Sequence, residues 1–335
     1  MPIDTQLRDG AWRVFLVFLR LGLTSFGGPI AHLGYFRAEF VERRRWLDDR
    51  SYADLVALCQ FLPGPASSQV GMALGLGRAG WWGALAAWVG FTLPSALALI
   101  LFAYGISEYR ALADAGWVHG LKVVAVAVVA QAVWGMAKTL CPDRPRAALA
   151  ILAALLTLLL PSAWMQIAAI AVTGLAGRVW LQLPPLPATH LASYAVSRRV
   201  VTMAWGLLAV LLLGLPVWAA ASGSTTAALI DGFFRAGALV FGGGHVVLPL
   251  LQAATGSTGA VANADFLAGY GAAQAVPGPL FTFAAYLGTV ADWPLHGWRG
   301  GLALLAVIFV PAFLVLVGAL PLWERLRHRQ GIQAA

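Results

Sequence analysis

The sequence predicts an all-α polytopic membrane protein built from two inverted copies of one unit. Three observations support this fold class. The chain of 335 residues is 60% hydrophobic and only 11% charged, whereas soluble domains carry about 25% charged residues. A Gln-x-x-Pro-Gly-Pro stretch occurs twice, at residues 60–65 and 274–279. Five arginines lie within residues 37–50, and the corresponding residues 252–264 contain none.

The first copy begins with an apolar segment, residues 12–26, which ends at a Phe-Gly-Gly-Pro sequence. An amphipathic, charged segment follows over residues 30–46. A second helical pattern covers residues 47–61 and has acidic residues near its start, as helix N-termini prefer. It must stop at Pro63-Gly64-Pro65, because proline lacks an amide donor and its ring clashes with the preceding turn.

The middle of the chain offers further candidate spans, at residues 121–140, 147–160, 163–180 and 200–221. Residues 181–199 contain three prolines and are predicted to form a linker. We therefore divide the chain into a first unit with the middle spans (residues 1–180), the linker (181–199) and a second unit (200–335).

The second copy repeats the first in order and spacing. Phe233–Gly237 matches Phe18–Gly22, a second Phe-Gly-Gly starts at residue 241, and Pro277 lies 214 residues after Pro63. The offset between matching residues stays between 214 and 217, which chance matches would not maintain. Two matching breaks at membrane depth are the best sequence indication of a transporter's substrate site.

Charge predicts the orientation of the two copies. Orientation follows the number of basic residues in short loops, so residues 37–50 are expected in the cytoplasm and residues 252–264 outside. Both termini are then cytoplasmic, in an uncleaved inner-membrane protein, if the segments around each Phe-Gly-Gly and Pro-Gly-Pro form re-entrant hairpins. Residues 47–61 would span roughly 22 Å, which allows this. About ten plain spans remain the alternative.

The breaks carry the expected chemistry. A helix that resumes after Pro65 or Pro279 has unpaired amides in its first turn, which favour an anion. Hydroxyl donors and flexible glycines accompany these turns. The predicted substrate-binding residues of the two breaks are Gly27, Gly28, Pro63, Gly64, Ser67, Ser68, Gly242, Gly243, Pro277, Gly278 and Thr282.

Two arginines and two glutamines complete the predicted site. Arg20 and Arg235 each lie in an apolar stretch six residues before a Phe-Gly-Gly, and a guanidinium matches a tetrahedral dianion by bidentate donation. The alternatives are extension to the headgroups or, for Arg235, a pair with Asp231 on the helix surface. Gln60 and Gln274 would donate to substrate or brace the broken backbone.

Proton carriers and other chemistries were also considered. Glu39, Asp231 and His245 are the candidate proton carriers, although Glu39 could simply balance its neighbouring arginines and His245 could be structural. The sequence has no metal-ligand spacing, nucleotide-binding motif or nucleophile–base pair, so we expect no metal, no cofactor and no enzymatic activity. The positive net charge of +8 is explained by topology rather than by nucleic-acid binding.

The motifs together resemble the chromate ion transporter family, in its two-domain arrangement. The resemblance rests on L-T-S-F-G-G-P-I-A-H (23–32), L-C-Q-F-L-P-G-P-A-S-S-Q-V-G (58–71) and G-F-T-L-P-S (90–95), with F-R-A-G-A-L-V-F-G-G-G-H-V-V-L-P (234–249) and V-P-G-P in the second copy. It implies proton-driven export of chromate across the inner membrane, chromate resistance, and sulfate as a competing or alternative anion.

Two other functions stay open at this point. One is a channel-like or sulfate-directed anion permease, and the other is a membrane enzyme acting on a phosphorylated lipid. The expected partners are chromate or sulfate and the lipid bilayer, and the protein could be a monomer or a homodimer.

Overall fold

In a computed structural model, every regular element of the described residues is helical. The structure describes residues 10–108, 143–159, 196–241 and 246–326, with scattered positions at 120–141 and 168–177. The chain forms two compact units. One contains residues 1–125 and 189–321, including all the predicted breaks, and the other contains residues 126–188 and 322–335. Most of the predicted linker, residues 181–195, lies outside the described residues.

The N-terminal half of the first unit contains four helices. They are α1 (Ala11–Thr24), α2 (Gly28–Arg37, extended by a π-helical turn at Ala38–Arg43), α3 (Asp49–Phe61) and α4 (Ala66–Glu108). Helix α4 is interrupted at Ala79 and Gly80, where the backbone leaves helical geometry. Helix α3 begins at Asp48, whose carboxylate accepts a hydrogen bond from the Ser51 amide at 2.8 Å, a typical N-cap.

In the described part of the chain between the halves, two helices have defined ends, α5 (Arg144–Leu159) and α6 (Arg198–Ser222). Helix α5 belongs to the second compact unit and α6 to the first.

The C-terminal half repeats this order of elements. It consists of α7 (Thr225–Leu239), α8 (Val247–Thr258), α9 (Asn263–Ala275), a 3₁₀ turn (Leu280–Thr282), α10 (Phe283–Val290) and α11 (Trp298–Leu326). The burial pattern agrees with the sequence offset. Helix α2 and its extension bury His32, Phe36 and Phe40, and α8 buries the residues 215 positions later, Val247, Leu251 and Thr255.

Helix lengths distinguish two kinds of element. Among the described residues, three helices are long and apolar enough to cross a membrane, at Ala66–Ile106, Arg198–Ser222 and Trp298–Trp323. The helices that lead into the N-terminal breaks are much shorter. Helices α1 and α3 have 14 and 13 residues and reach about 20 Å at 1.5 Å per residue, against roughly 30 Å of hydrocarbon.

Matching close contacts hold the first helix of each half. In the N-terminal half, a Cβ on Gly22 of α1 would lie 2.7 Å from the Phe91 carbonyl oxygen of α4. In the C-terminal half, a Cβ on Gly237 of α7 would lie 2.0 Å from the Ile308 oxygen of α11. Glycine at both positions lets the helix backbones touch.

Candidate anion site at the crossed breaks

The two Pro-Gly-Pro breaks each reach into the other half of the molecule. The Gly64 amide donates a hydrogen bond of 2.7 Å to the Val240 carbonyl, and the Gly278 amide donates one of 2.9 Å to the Ser25 carbonyl. Ser25 and Val240 are the residues that immediately precede the two Phe-Gly-Gly sequences. We call these meeting points the Val240 junction and the Ser25 junction. All four predicted helix breaks therefore meet in two reciprocal pairs.

Only glycine fits at the centre of each break. Gly64 and Gly278 have φ values of +116° and +100°, a region that L side chains rarely adopt. A Cβ on Gly64 would lie 2.8 Å from the Ala312 Cβ, and a Cβ on Gly278 would lie 2.8 Å from the Ser95 Oγ. The predicted interruptions at both motifs are confirmed, since α3 ends at Phe61 and α9 ends at Ala275.

The polarity of the two junctions differs sharply. Five buried polar side chains lie on the N-terminal half's contribution to the Ser25 junction: Ser25, His32, Ser67, Thr92 and Ser95. At the matched offsets of 214 to 217, the C-terminal half carries Val240, Val247, Phe281, Phe309 and Ala312. The pattern of backbone contacts is thus shared, but the polar lining is not.

Several polar atoms of the Ser25 junction have no partner among the described residues. His32 Nδ1 lies 3.3 Å from Ser67 Oγ, and Ser95 Oγ donates to the Thr92 carbonyl at 3.1 Å. The unpartnered atoms are Ser25 Oγ, His32 Nε2 and Thr92 Oγ1. A buried polar group left without a hydrogen bond costs about 1–3 kcal/mol. His32 was not predicted from sequence, although a histidine among the apolar residues of α2 was a visible signal.

Gln69, which sequence reasoning also missed, braces the first break. Its Nε2 donates to the Pro63 carbonyl at 2.8 Å and to the Ala312 carbonyl at 3.3 Å. It therefore has the bracing role considered for Gln60. Gln60 itself is exposed at the end of α3. Gln274 is half-buried, and its Nε2 has no partner within the described part of the chain.

The helices that resume after the two breaks start differently. Helix α4 begins directly at Ala66, so the amides of its first turn have no intrahelical acceptor, and Ser67 and Ser68 are buried there. The second break continues into a 3₁₀ turn instead. The Thr282 hydroxyl and amide both donate to the Pro279 carbonyl, at 2.7 and 3.0 Å. The Thr282 hydroxyl, which was the expected donor of the second copy, is therefore already hydrogen-bonded within the turn.

The two predicted arginines are also in different environments. Arg235 forms an ion pair with Asp231 one turn earlier, and the aspartate side chain is only 4% exposed against 44% for the arginine. The pairing considered as an alternative for Arg235 is thus present. Arg20 is exposed, and its guanidinium has no ion pair within residues 10–108 or the other described parts. Leu16 occupies the position equivalent to Asp231.

Glu39 lies in an arginine cluster away from the junctions. It accepts hydrogen bonds from Arg43 at 2.8 Å and from Arg44 at 2.5 Å. Partial burial raises its pKa, but the hydrogen bonds and charges of Arg44 and Arg43 outweigh burial and leave the pKa below its usual range. This carboxylate is ionised at neutral pH and balances its neighbours.

The remaining predicted residues divide into described and undescribed positions. Gly27 is the N-cap of α2 and Gly28 is its first residue, with φ of +94° and +75°. Gly242, Gly243 and His245 lie outside the described residues. Within the described residues, no three His, Cys, Asp or Glu side chains are grouped as metal ligands.

Comparison with known proteins agrees with the motifs. The chain is 28% identical over 313 residues to a chromate transport protein of Pseudomonas aeruginosa, covering 90% of this chain and 70% of that protein. It is 26% identical over 325 residues to a chromate transport protein of Cupriavidus metallidurans, covering 93% and 75%. An uncharacterized transporter of Methanocaldococcus jannaschii is 26% identical over 332 residues, covering 97% and 80%. No solved structure matches the chain. The profile of the family described as Chromate transporter matches residues 12–178 and 227–335, most of the sequence, and the chain therefore belongs to that family.

Proposed function

We propose that this protein is a secondary active transporter that exports chromate, or a similar tetrahedral oxyanion, in exchange for protons. The observation that carries the proposal is the reciprocal crossing of the two Pro-Gly-Pro breaks. Broken backbone at membrane depth survives only where protein or a water-filled cavity satisfies it. Transporter sites are typically built where such breaks from two halves meet. Membership of the chromate transporter family supports chromate as the substrate.

The fold we propose is a pair of inverted repeats with re-entrant hairpins. The two helices that lead into the N-terminal breaks, α1 and α3, reach only about 20 Å and are too short to cross the hydrocarbon, which favours hairpins that enter and return. The concentration of arginines in residues 37–50, and their absence from 252–264, favours opposite orientation of the two halves. Both termini are then cytoplasmic, in the inner membrane.

The proposed binding region includes the helix starts and side chains predicted from sequence. Amides at the start of α4 carry a partial positive charge suited to an anion. Arg20 is a free cation among the described residues that could pair with an arriving dianion, whereas Arg235 already has Asp231. As the proton carrier we favour the buried Asp231 carboxyl over Glu39. Asp231 is paired with Arg235, so an anion that binds Arg235 would weaken this ion pair and favour protonation of the carboxyl.

The test is chromate uptake into everted membrane vesicles that contain the protein. With an imposed pH gradient, acidic inside, we expect uptake above that of vesicles lacking the protein. A protonophore should abolish the difference, because it collapses the gradient that drives exchange. No protein-dependent uptake of chromate with the gradient in place would refute the proposal.

A sulfate-directed or channel-like permease is the second candidate. The observation that keeps it open is the uncharged lining of the Ser25 junction, because hydroxyl and amide donors do not distinguish one tetrahedral dianion from another. Protein-dependent sulfate flux that persists after the protonophore would favour this function over coupled chromate export.

A further inference from the structure

The Ser25 junction contains more buried hydrogen-bonding capacity than the fold uses. Ser25, His32 and Thr92 are all within 2% of complete burial, and each has a polar atom without a partner among the described residues. Leaving one such group unsatisfied typically costs about 1–3 kcal/mol. Apolar residues of similar size would avoid this cost, and the matched positions Val240 and Val247 show that the fold accepts them.

Several contacts connect these residues around a single point. The His32 ring lies against Ser67 Oγ at 3.3 Å and edge-on to the Phe91 ring, with 5.2 Å between ring centres. It also lies beside the backbone of Ser25, whose carbonyl accepts the Gly278 amide. The imidazole is thus at the place where the break of one half meets the break of the other.

The contact to Ser67 leaves His32 Nε2 directed away from that partner. When the Ser67 hydroxyl donates to Nδ1, the ring proton is on Nε2, which becomes a buried N–H donor with no acceptor at full hydrogen-bond geometry among the described residues. The Ser25 hydroxyl is a second donor in the same condition. The amides at the start of α4, next to Ser67, add a partial positive charge. Unused donors beside a helix start suit an anion.

Resting on the proposed function, we propose that the Ser25 junction binds one tetrahedral divalent oxyanion, with His32 Nε2 and the Ser25 hydroxyl as donors. His32 is then a substrate ligand of the N-terminal half. The matched positions of the C-terminal half, Val247 and Val240, supply no equivalent donors. The two halves therefore share a backbone scaffold but contribute unequally to the anion.

The experiment measures equilibrium binding of radiolabelled chromate and sulfate to the purified full-length protein, together with its thermal midpoint. In His32→Leu we expect binding of both anions to weaken about 10- to 100-fold, as for loss of a hydrogen bond to a charged group. The thermal midpoint should be unchanged or higher, because an unsatisfied buried group has been removed. His32→Gln keeps an N–H donor and should lose less binding.

Matched controls separate this role from packing. His296→Gln changes a histidine that lies beside the Trp293 carbonyl instead, and Thr255→Val removes a buried hydroxyl that is bonded within α8. Both should bind like the parent. Ser25→Ala removes only a hydroxyl and should weaken binding about tenfold, so it decides the question if the leucine variant does not fold.

Two results would overturn the inference alone. One is parental binding in both His32→Leu and Ser25→Ala, while the parent transports. The other is an equal loss in the leucine and glutamine variants accompanied by a lower thermal midpoint, which would make His32 structural. If the parent binds neither anion and drives no vesicle uptake, the proposed function fails together with this inference.

Discussion

Replacing Gly64 by alanine tests whether the crossed breaks hold the two halves together. The new Cβ would lie 2.8 Å from the Ala312 Cβ, on a residue with φ of +116°. A side chain held in such a sparsely populated region costs about 1–3 kcal/mol. If the break moves to relieve the contact, the 2.7 Å hydrogen bond to Val240 is lost, worth about 1 kcal/mol. Together these give a destabilisation of about 2–4 kcal/mol.

The magnitude can be separated into its parts with a second substitution. Ala312→Gly in the Gly64→Ala background removes the steric contact but not the backbone strain. Measured relative to Ala312→Gly alone, the cost of Gly64→Ala should therefore recover by about 1 kcal/mol and leave about 1–3 kcal/mol of strain. The assay is the apparent melting temperature of the purified protein, which should fall by about 5 °C in the single variant. Gly256→Ala is the matched control, because its added Cβ meets nothing within 4 Å.

Two outcomes would contradict this reasoning. Parental stability in Gly64→Ala would mean that the break is not constrained as described. No recovery in the double variant would mean that Ala312 does not limit the space available to residue 64.

Three further predictions follow from the charged residues. Arg20→Ala should abolish chromate uptake in everted vesicles at a normal protein level, because it removes an arginine of α1 that has no ion pair among the described residues. Single cysteines placed in residues 37–50 and 252–264 should react with a membrane-impermeant thiol reagent from opposite sides of the membrane. Glu39→Gln should cost about 1 kcal/mol of stability at neutral pH; because the pKa of Glu39 is lowered in the folded protein, the difference from the parent should shrink as pH falls below about 4.

Each of these has its own control or contradicting result. Arg299→Ala removes an arginine that lies over the Trp298 ring and should leave chromate uptake unchanged. Labelling of both loops from one side would exclude inverted halves. A stability difference for the Glu39 variant that grows on acidification would mean that the ion pairs with Arg43 and Arg44 are not its source.

The breaks could be predicted from sequence because their cause is local. Proline and glycine at residues 63–65 and 277–279 exclude a continuous helix whatever surrounds them, and both helices end where expected. The repeat offset likewise fixed which elements correspond. The crossing of the breaks could not be read locally, since Gly64 and Val240 are joined only by the tertiary packing of the two halves.

The side chains of the site were harder to predict than its backbone. Charge drew attention to Arg235, but its strongest partner is Asp231 on the same helix. His32 and Gln69 are buried at the breaks, although nothing in their spacing separates them from ordinary helix residues. Their importance follows from the residues that pack against them. The repeat did not reveal them, because the matching residues of the second copy, Val247 and Phe283, are apolar.

The crossed hydrogen bonds also impose an order on biosynthesis. Gly64 finds its acceptor only once Val240 has been made, 176 residues later, which at 5–20 residues per second is a delay of roughly 10 to 35 seconds. During that interval the first break must keep its amide solvated, either beside the insertion machinery or at the membrane edge. If synthesis stops between the halves, the Gly64 amide has no Val240 carbonyl to bind and the first break stays unpaired. Quality-control proteases would then encounter the chain with this break unpaired.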